Sequence, residues 1–400
     1  MSNSILTVDM ITRKALSVLE NSLTLARNVN RQYDDSFARE GAKIGSTLRI
    51  RKPNRMLVKT GATLQAEDYE EQHTTLSIST QAHVDVNFTT AELTLSMDDF
   101  SERFLRPAMS QLAAYIDSDV ANTYSGLYHS VGSPGTTPAT SLVLGQAMQK
   151  LDENAIERSP RFATVNPAAN TSLVEGMKGF FHPGPTISRQ FRTGMIGEGV
   201  LGYDELNMSQ SIRTHTNGAW GTTITSTGTI STQGTTSLPI SFTGSSKTWK
   251  KGDVFTIADV YMVNPQTRES TGVLQQFVVT ADVGGSSTAT LSISPAIYTS
   301  AHKLATVNSF PQATAVITMV GTASTSYPQN LVYHRDAIAL ATADLVMPEG
   351  VAFASRQNYN GLSMRVVRQY DINNDRLPCR IDVLYGCGVI SPERGVRLWG

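Results

Sequence analysis

A sharp change of composition at Trp220 constrains this 400-residue chain more than any other feature. From residue 221 to 326 Thr, Ser, Gly and Val dominate, broken into short alternating runs. These are Ile224, Ile230, Leu238 and Ile240, then Val254-Phe255-Thr256-Ile257, Phe277-Val278-Val279, Ala289 to Ile293, and Ala315 to Met319. Turn signals lie between most of them, at Lys251-Gly252-Asp253, Gly284-Gly285 and Gly321. Alternation at this spacing predicts short strands in a small all-β barrel or sandwich. Helical spacing precedes the stretch, over 141–157 and from Asn170 to Phe181, with a strand from Arg161 to Val165 between them. It resumes from Asn330 to Leu345, where Pro348 stops it. A β module of about 105 residues, a common size for one domain, thus reads as inserted into a mixed α/β body.

Ahead of that body lies the longest helical pattern, from Ser96 to about His129. Phe100, Phe104, Ala108, Leu112, Tyr115, Ile116, Val120, Tyr124 and Leu127 recur at steps of three and four. Ser96, Asp98 and Asp99 supply a cap oxygen and negative charge where free N–H groups point outward. The whole run would span roughly 50 Å. Pro107 lacks an N–H donor, so it either kinks the helix or marks the first turn of its second part. Taken alone, this is an ordinary amphipathic core helix.

Residues 4–30 form a further amphipathic helical stretch, which docks either on its own body or on a neighbour. Residues 46–95 are strand-rich: Leu48 and Ile50 alternate with polar residues, as do Leu76 to Ile78 and Val84 to Phe88. Between these runs the charge reverses, from Arg51, Lys52, Arg55 and Lys59 to Glu67, Asp68, Glu70 and Glu71. The pattern predicts a long two-stranded arm with a basic outgoing leg and an acidic return. Such a ribbon is marginal in water by itself. One reading is a solvated hairpin with cross-strand ion pairs, each worth under about 1 kcal/mol. The other is an arm ordered by a neighbouring subunit. The strands Ser363 to Tyr370 and Arg380 to Tyr385 complete the body's sheet.

Charged residues make up 17% and hydrophobic residues 40%, the balance of a globular chain. No apolar run approaches the ~20 residues that span a bilayer, and the N-terminus lacks the layout of a signal peptide. A net charge of −1 argues against general nucleic-acid binding, which needs a strong basic field. Cys379 and Cys387 are the only cysteines. On one strand they would stand roughly 27 Å apart, far beyond disulfide reach, whereas a turn at Gly386 would bring them closer. Two reduced, buried thiols and cytoplasmic synthesis are expected.

Chemistry is sparse. Gly197-Glu-Gly-Val-Leu-Gly202 has the spacing of a dinucleotide loop, but neither the strand before it nor the helix after it. No phosphate loop, zinc helix or nucleophile elbow occurs, and the seven histidines are scattered singly. His334, beside Tyr333, Arg335 and Asp336, reads as a structural histidine. Lys251-Gly252-Asp253 reads as a hairpin turn with Gly at positive φ. No catalytic residue, cofactor or metal site is expected.

The order of parts resembles the major coat proteins of tailed double-stranded DNA phages, with the HK97 fold. Trp249-Lys-Lys-Gly-Asp-Val-Phe-Thr-Ile-Ala-Asp-Val260 is similar to the start of the insertion-domain barrel of P22-like coat proteins. Asn330 to Ala337, with the residues on to Pro348, resembles the family's return helix, and Arg380 to Gly386 with Pro392 to Leu398 its closing strands. The resemblance implies an α+β fold of seven parts. Residues 1–40 would be an N-terminal arm, 41–95 the extended β arm and peripheral strands, and 96–139 a spine helix and loop. Residues 140–220 would begin an axial domain, 221–329 form the inserted β barrel, 330–360 return to the axial domain, and 361–400 supply C-terminal strands. It further implies a capsid subunit whose partners are copies of itself in pentamers and hexamers, a scaffolding protein, a portal protein and DNA packaged without sequence-specific binding. No membrane is involved; the shell would be assembled in the host cytoplasm and mature on packaging. The basic and acidic residues of the arm are then candidate inter-subunit contacts. The rival reading is a phage tail or surface protein whose β module recognises a receptor; a hydrolase with an inserted β domain is more remote.

Overall fold

The computed structural model describes residues 8–34, 47–58, 60–64, 66, 71–89, 105–177, 197–351, 353–373 and 376–400. The chain divides into two compact units. The first is drawn from Met1–Arg51, His73–Val120 and Ile338–Ile390, and the second from Lys52–Gln72, Ala121–Ala337 and Ser391–Gly400.

The first unit is built on the 14-residue strand Arg376–Val389. It pairs antiparallel with Thr80–Thr89, Leu362–Arg368 and Ile338–Ala343. Phe353–Tyr359 and the parallel strand Asn30–Asp34 complete the six-stranded sheet. Gly386 is required here, because a Cβ would lie 2.1 Å from the Ser77 carbonyl oxygen. Helix α1 (Val8–Ser22) buries Ala15, Leu16 and Leu19 and packs on this sheet through Phe353–Tyr359, so the terminal helix docks on its own body. Helix α2 (Arg106–Asn122) starts with Pro107 in its first turn, where a missing N–H costs no helical bond. It buries Ala108, Met109, Leu112, Ala113, Ile116 and Val120.

Asp117 of α2 is also buried, and it accepts the Thr24 and Ala26 N–H groups, each at 2.8 Å. The carboxylate thereby fastens the chain that follows α1. Cys379 and Cys387 are free thiols on one strand; burial pushes both up to about 11, which keeps them protonated.

The second unit contains a six-stranded mixed sheet in the order His129–Val131, Gly395–Leu398, Asn330–His334, Arg161–Val165, Tyr203–Met208, Gly197–Val200. Helices α3 (Ser141–Glu153) and α4 (Pro167–Met177) share its core, which includes Leu144, Leu151, Val165, Leu173, Val332 and Leu398. Gly197–Val200 and Tyr203–Met208 form a hairpin whose two loop residues, Leu201 and Gly202, have φ of 53° and 83°. Positive φ at both positions suits a tight primed turn. The GxGxxG spacing therefore belongs to a β-hairpin.

In the same unit, residues 222–319 close a β barrel. The order is Thr222–Ser226, Thr235–Thr243, Thr288–Ile297, Ser270–Val279, Val254–Val263, Ile317–Met319, every pair antiparallel. A bridge between Thr225 and Val316 joins the two ends, so neither edge is left open. Trp249, Phe255, Phe277, Leu238, Leu291 and Ile293 fill it. Phe255 stacks on Phe277 with ring centroids 5.7 Å apart, and Phe242 meets Trp249 edge-on at 4.6 Å. The chain leaves and returns side by side, along the paired strands Thr214–Thr216 and Ser326–Pro328.

Three expectations are corrected. Asn330 to Leu345 is not a helix: Asn330–His334 is a strand of one unit, Arg335–Ala337 a short 3-10 turn, and Ile338–Ala343 a strand of the other. Every residue of both strands is buried, so apolar positions recur at any period, and alanine favours the helical reading. Residues 330–360 are accordingly not one returning segment. The long helix ends at Asn122 and passes through a 3-10 turn, Thr123–Gly126, into the strand at His129. Its expected start, from Ser96 through Phe104, lies outside the described residues. Tyr115, counted on the apolar face, is half exposed.

Candidate assembly site

The arm departs from expectation. Thr47–Arg51 pairs with His73–Ser77, and the ladder ends at Arg51 opposite His73. One further bond carries it on: the Lys52 N–H donates to the Gln72 carbonyl at 2.8 Å. Beyond that, none of the described residues of 53–71 is in a strand. Pro53 supplies a physical reason, because it cannot donate to a ladder. Among the described residues of 54–71, none is buried to pin a register. Lys59, Glu67, Asp68 and Glu70 lie outside the described residues. Glu71 is exposed. Arg55 faces the C-terminal 3-10 turn rather than an acidic return leg, with Nη2 3.9 Å from Glu393 Oε1.

What the segment displays is apolar. Val58 is 96% exposed and Leu64 91%, with Met56 exposed beside them. At the base of the segment is a cavity of about 480 Å³, lined among others by Lys52, Arg55, Tyr128, Gln275, Tyr298 and Glu393. Burial pushes the Tyr128 phenol well above its ordinary range, so this wall is a neutral donor at any ordinary pH.

The second sequence-marked group, Lys251-Gly252-Asp253, is a turn with a buried purpose. Lys250 to Asp253 closes through Asp253 N–H to the Lys250 carbonyl at 3.0 Å. Gly252 has φ of 103°, and a Cβ there would meet the His215 ring at 3.1 Å. Lys251 stays on the surface, whereas Asp253 is buried. The lost hydration of its carboxylate is replaced by hydrogen bonds, as a buried charge requires. Lys250 N–H donates to Oδ2 at 2.7 Å, Gly218 N–H lies 3.2 Å from the same oxygen, and His215 Nε2 is 2.8 Å from Oδ1. A carboxylate can only accept, so Nε2 carries a proton, and Nδ1 on the other side of the ring lies 3.1 Å from the Tyr124 hydroxyl.

Arg397 completes the group. Its guanidinium lies 5.3 Å from the Tyr124 ring centroid, and Nη1 donates to the Gly252 carbonyl at 2.6 Å. It is fully buried, which lowers its pKa to about 10 against the opposing pull of Tyr124 and Asp253. His215, Tyr124 and Arg397 were not singled out from sequence. Their numbers lie far apart, and only the aspartate of the Lys-Gly-Asp turn carried a local signal.

Two other histidines have structural settings. His334 ends a strand, with Nδ1 3.2 Å from the Asp336 N–H and 3.3 Å from Arg394 Nη1, and burial lowers its pKa. His129 is fully buried and its Nε2 receives the Asn154 amide at 2.9 Å. Burial first, and then the charge of Lys150, lower it from 6.5 to about 3. Among the described residues, no group of three or more His, Cys, Asp or Glu is placed to hold a metal ion, and no helix is long and apolar enough to cross a membrane.

Comparison with known proteins bears on all of this. No curated protein matches the chain. Among solved structures, a protein of Mycobacterium phage Che8 matches at 11% identity with a TM-score of 0.43, covering 94% of this chain and 90% of that one. The capsid of cyanophage P-SCSP1u matches at 11% identity and a TM-score of 0.44, covering 93% and 86%. The CUS-3 coat protein I-domain is 28% identical over 25% of this chain and 96% of its own, with a TM-score of 0.20. The family model described as P22 coat protein, gene protein 5, matches residues 2–400. The chain belongs to the P22 coat protein family, a structural capsid family and not a class of enzymes.

Proposed function

We propose that the chain is the shell-forming subunit of a tailed phage, and that copies assemble as pentamers and hexamers into an icosahedral capsid around double-stranded DNA. A scaffolding protein would guide the first, immature shell, a portal protein would occupy one vertex, and packaging would drive maturation. Residues 221–329 would be the inserted domain of each subunit, and the arm its link to the next.

The observation that carries this reading, beside family membership, is the 52–66 segment. It leaves Met56, Val58 and Leu64 exposed to water and outside any strand, the first two close to Arg55 in sequence. Contiguous exposed apolar side chains rimmed by charge mark interaction surfaces. A neighbouring copy would bury them, and the arm's charges would fix register more than add affinity. The near-neutral net charge of −1 suits a protein that packs against many copies of itself. Co-expression with candidate scaffolding proteins, followed by negative-stain electron microscopy, tests the proposal: uniform closed shells are expected. Monomers in every condition would overturn it and favour the receptor-binding reading.

A further inference from the structure

Beside an apolar contact in which Tyr128 of the body packs with Val254 and Val278 of the barrel, the barrel meets the α/β body through polar groups at two places. At the first, four segments distant in sequence converge: Tyr124 after α2, His215 on the outgoing stem strand, Asp253 in the barrel's turn, and Arg397 on the C-terminal strand. At the second, the Gln276 side chain clasps the edge of the His129–Val131 strand. Its Oε1 accepts the Ser130 N–H at 2.7 Å, and its Nε2 donates to the Ser130 carbonyl at 3.0 Å. The Asn264 amide adds a bond to the Glu153 carbonyl at 3.0 Å.

We propose that Tyr124, His215, Asp253 and Arg397 form a latch that holds the barrel in one attitude on the body. Three observations support a docking role over a local turn. Asp253 satisfies its own turn through the Lys250 N–H, yet its second oxygen is spent on His215, a residue of the stem. The stem is a two-stranded ladder, Thr214–Thr216 with Ser326–Pro328, continued by the Gln329–Arg213, Asn217–Thr325 and Ser324–Gly218 backbone bonds, and a ribbon of only two strands is marginal support by itself. Arg397 reaches the barrel's Gly252 carbonyl while its Nε and Nη2 have no hydrogen-bond partner in the protein. A fully buried cation with unpaired donors costs stability, which is a sacrifice that fold stability alone does not reward. Latch and clasp are then coupled: with the latch open, the barrel pivots on its stem and Gln276 leaves Ser130.

Amide hydrogen exchange on the full chain tests this, comparing wild type with Asp253→Asn and with Arg397→Met, which alters only the body's side. The latch predicts roughly tenfold faster exchange at Ser130 in both variants, while the barrel amides of Phe255 and Phe277 keep their protection. Faster exchange confined to Gly218 and Lys250 in Asp253→Asn would mean that the carboxylate merely caps its turn. An unchanged Ser130 in Arg397→Met overturns the latch whatever Asp253→Asn does, including outright loss of barrel protection.

Discussion

The barrel and the arm are opposite answers to the same problem of short strands in water. The barrel pairs every edge and puts its large side chains inside, with Trp249, Phe255 and Phe277 fully buried. Each such side chain contributes on the order of 1.5–3 kcal/mol by leaving water. The arm has no strand beyond Arg51 and His73 in the described residues, and it turns Val58 and Leu64 outward. A module that satisfies itself can be carried by two short stem strands. A segment that does not satisfy itself needs a partner. Under the proposed assembly these would be two kinds of part, one complete in the subunit and one completed by a neighbouring copy.

Substitutions ought to separate the two regions. The largest loss of stability is expected from Trp249→Ala in the barrel: about 3–5 kcal/mol, seen as a lower urea midpoint, because the cavity beside Phe242 cannot be refilled. A small effect there would show that the barrel core is not the self-sufficient part.

Acid comes next. The folded state holds His129 near 3 while the unfolded chain has the ordinary 6.5, so the unfolded chain takes up the proton first as pH falls. The stability this provides is fully present above 6.5 and lost progressively down to about 3, at up to about 1.4 kcal/mol per pH unit. His129→Gln, which retains an acceptor for Asn154, flattens that slope in pH-dependent unfolding; an unaltered slope would assign acid sensitivity elsewhere.

Effects in the arm are smaller on the isolated chain. Arg55→Glu removes a long, partly exposed ion pair with Glu393 and costs under about 1 kcal/mol. Smallest of all is the double variant Val58→Ser with Leu64→Ser, expected within about 0.5 kcal/mol of wild type because both side chains are already in water. If either arm variant unfolds the monomer, the arm is part of the subunit's own core and the contrast with the barrel fails.

The barrel was legible in the sequence because its strands have one wet face. Thr235–Thr243 alternates buried and accessible residues from Leu238 to Phe242, and the turn residues between strands stand out. Asn330–His334 and Ile338–Ala343 were misread for the converse reason: with both faces covered, nothing in the pattern separates strand from helix. The arm's charge reversal is real in the sequence, but Arg55 found Glu393 more than 300 residues away. Charge order along a chain does not specify pairing when no buried face fixes the register. The latch was hidden for a similar reason. Its Asp253 sat in a recognisable turn, while His215 was one scattered histidine and Arg397 one arginine on a closing strand.

The most direct measurement compares particles formed by wild type and by the Val58→Ser, Leu64→Ser variant, each co-expressed with scaffolding protein and viewed by negative-stain electron microscopy. If neighbours complete the arm, wild type forms uniform closed shells and the variant accumulates as folded, unassembled subunits with an unchanged urea midpoint. Normal shells from the variant would contradict that claim and leave the exposed residues of the arm without a role in assembly.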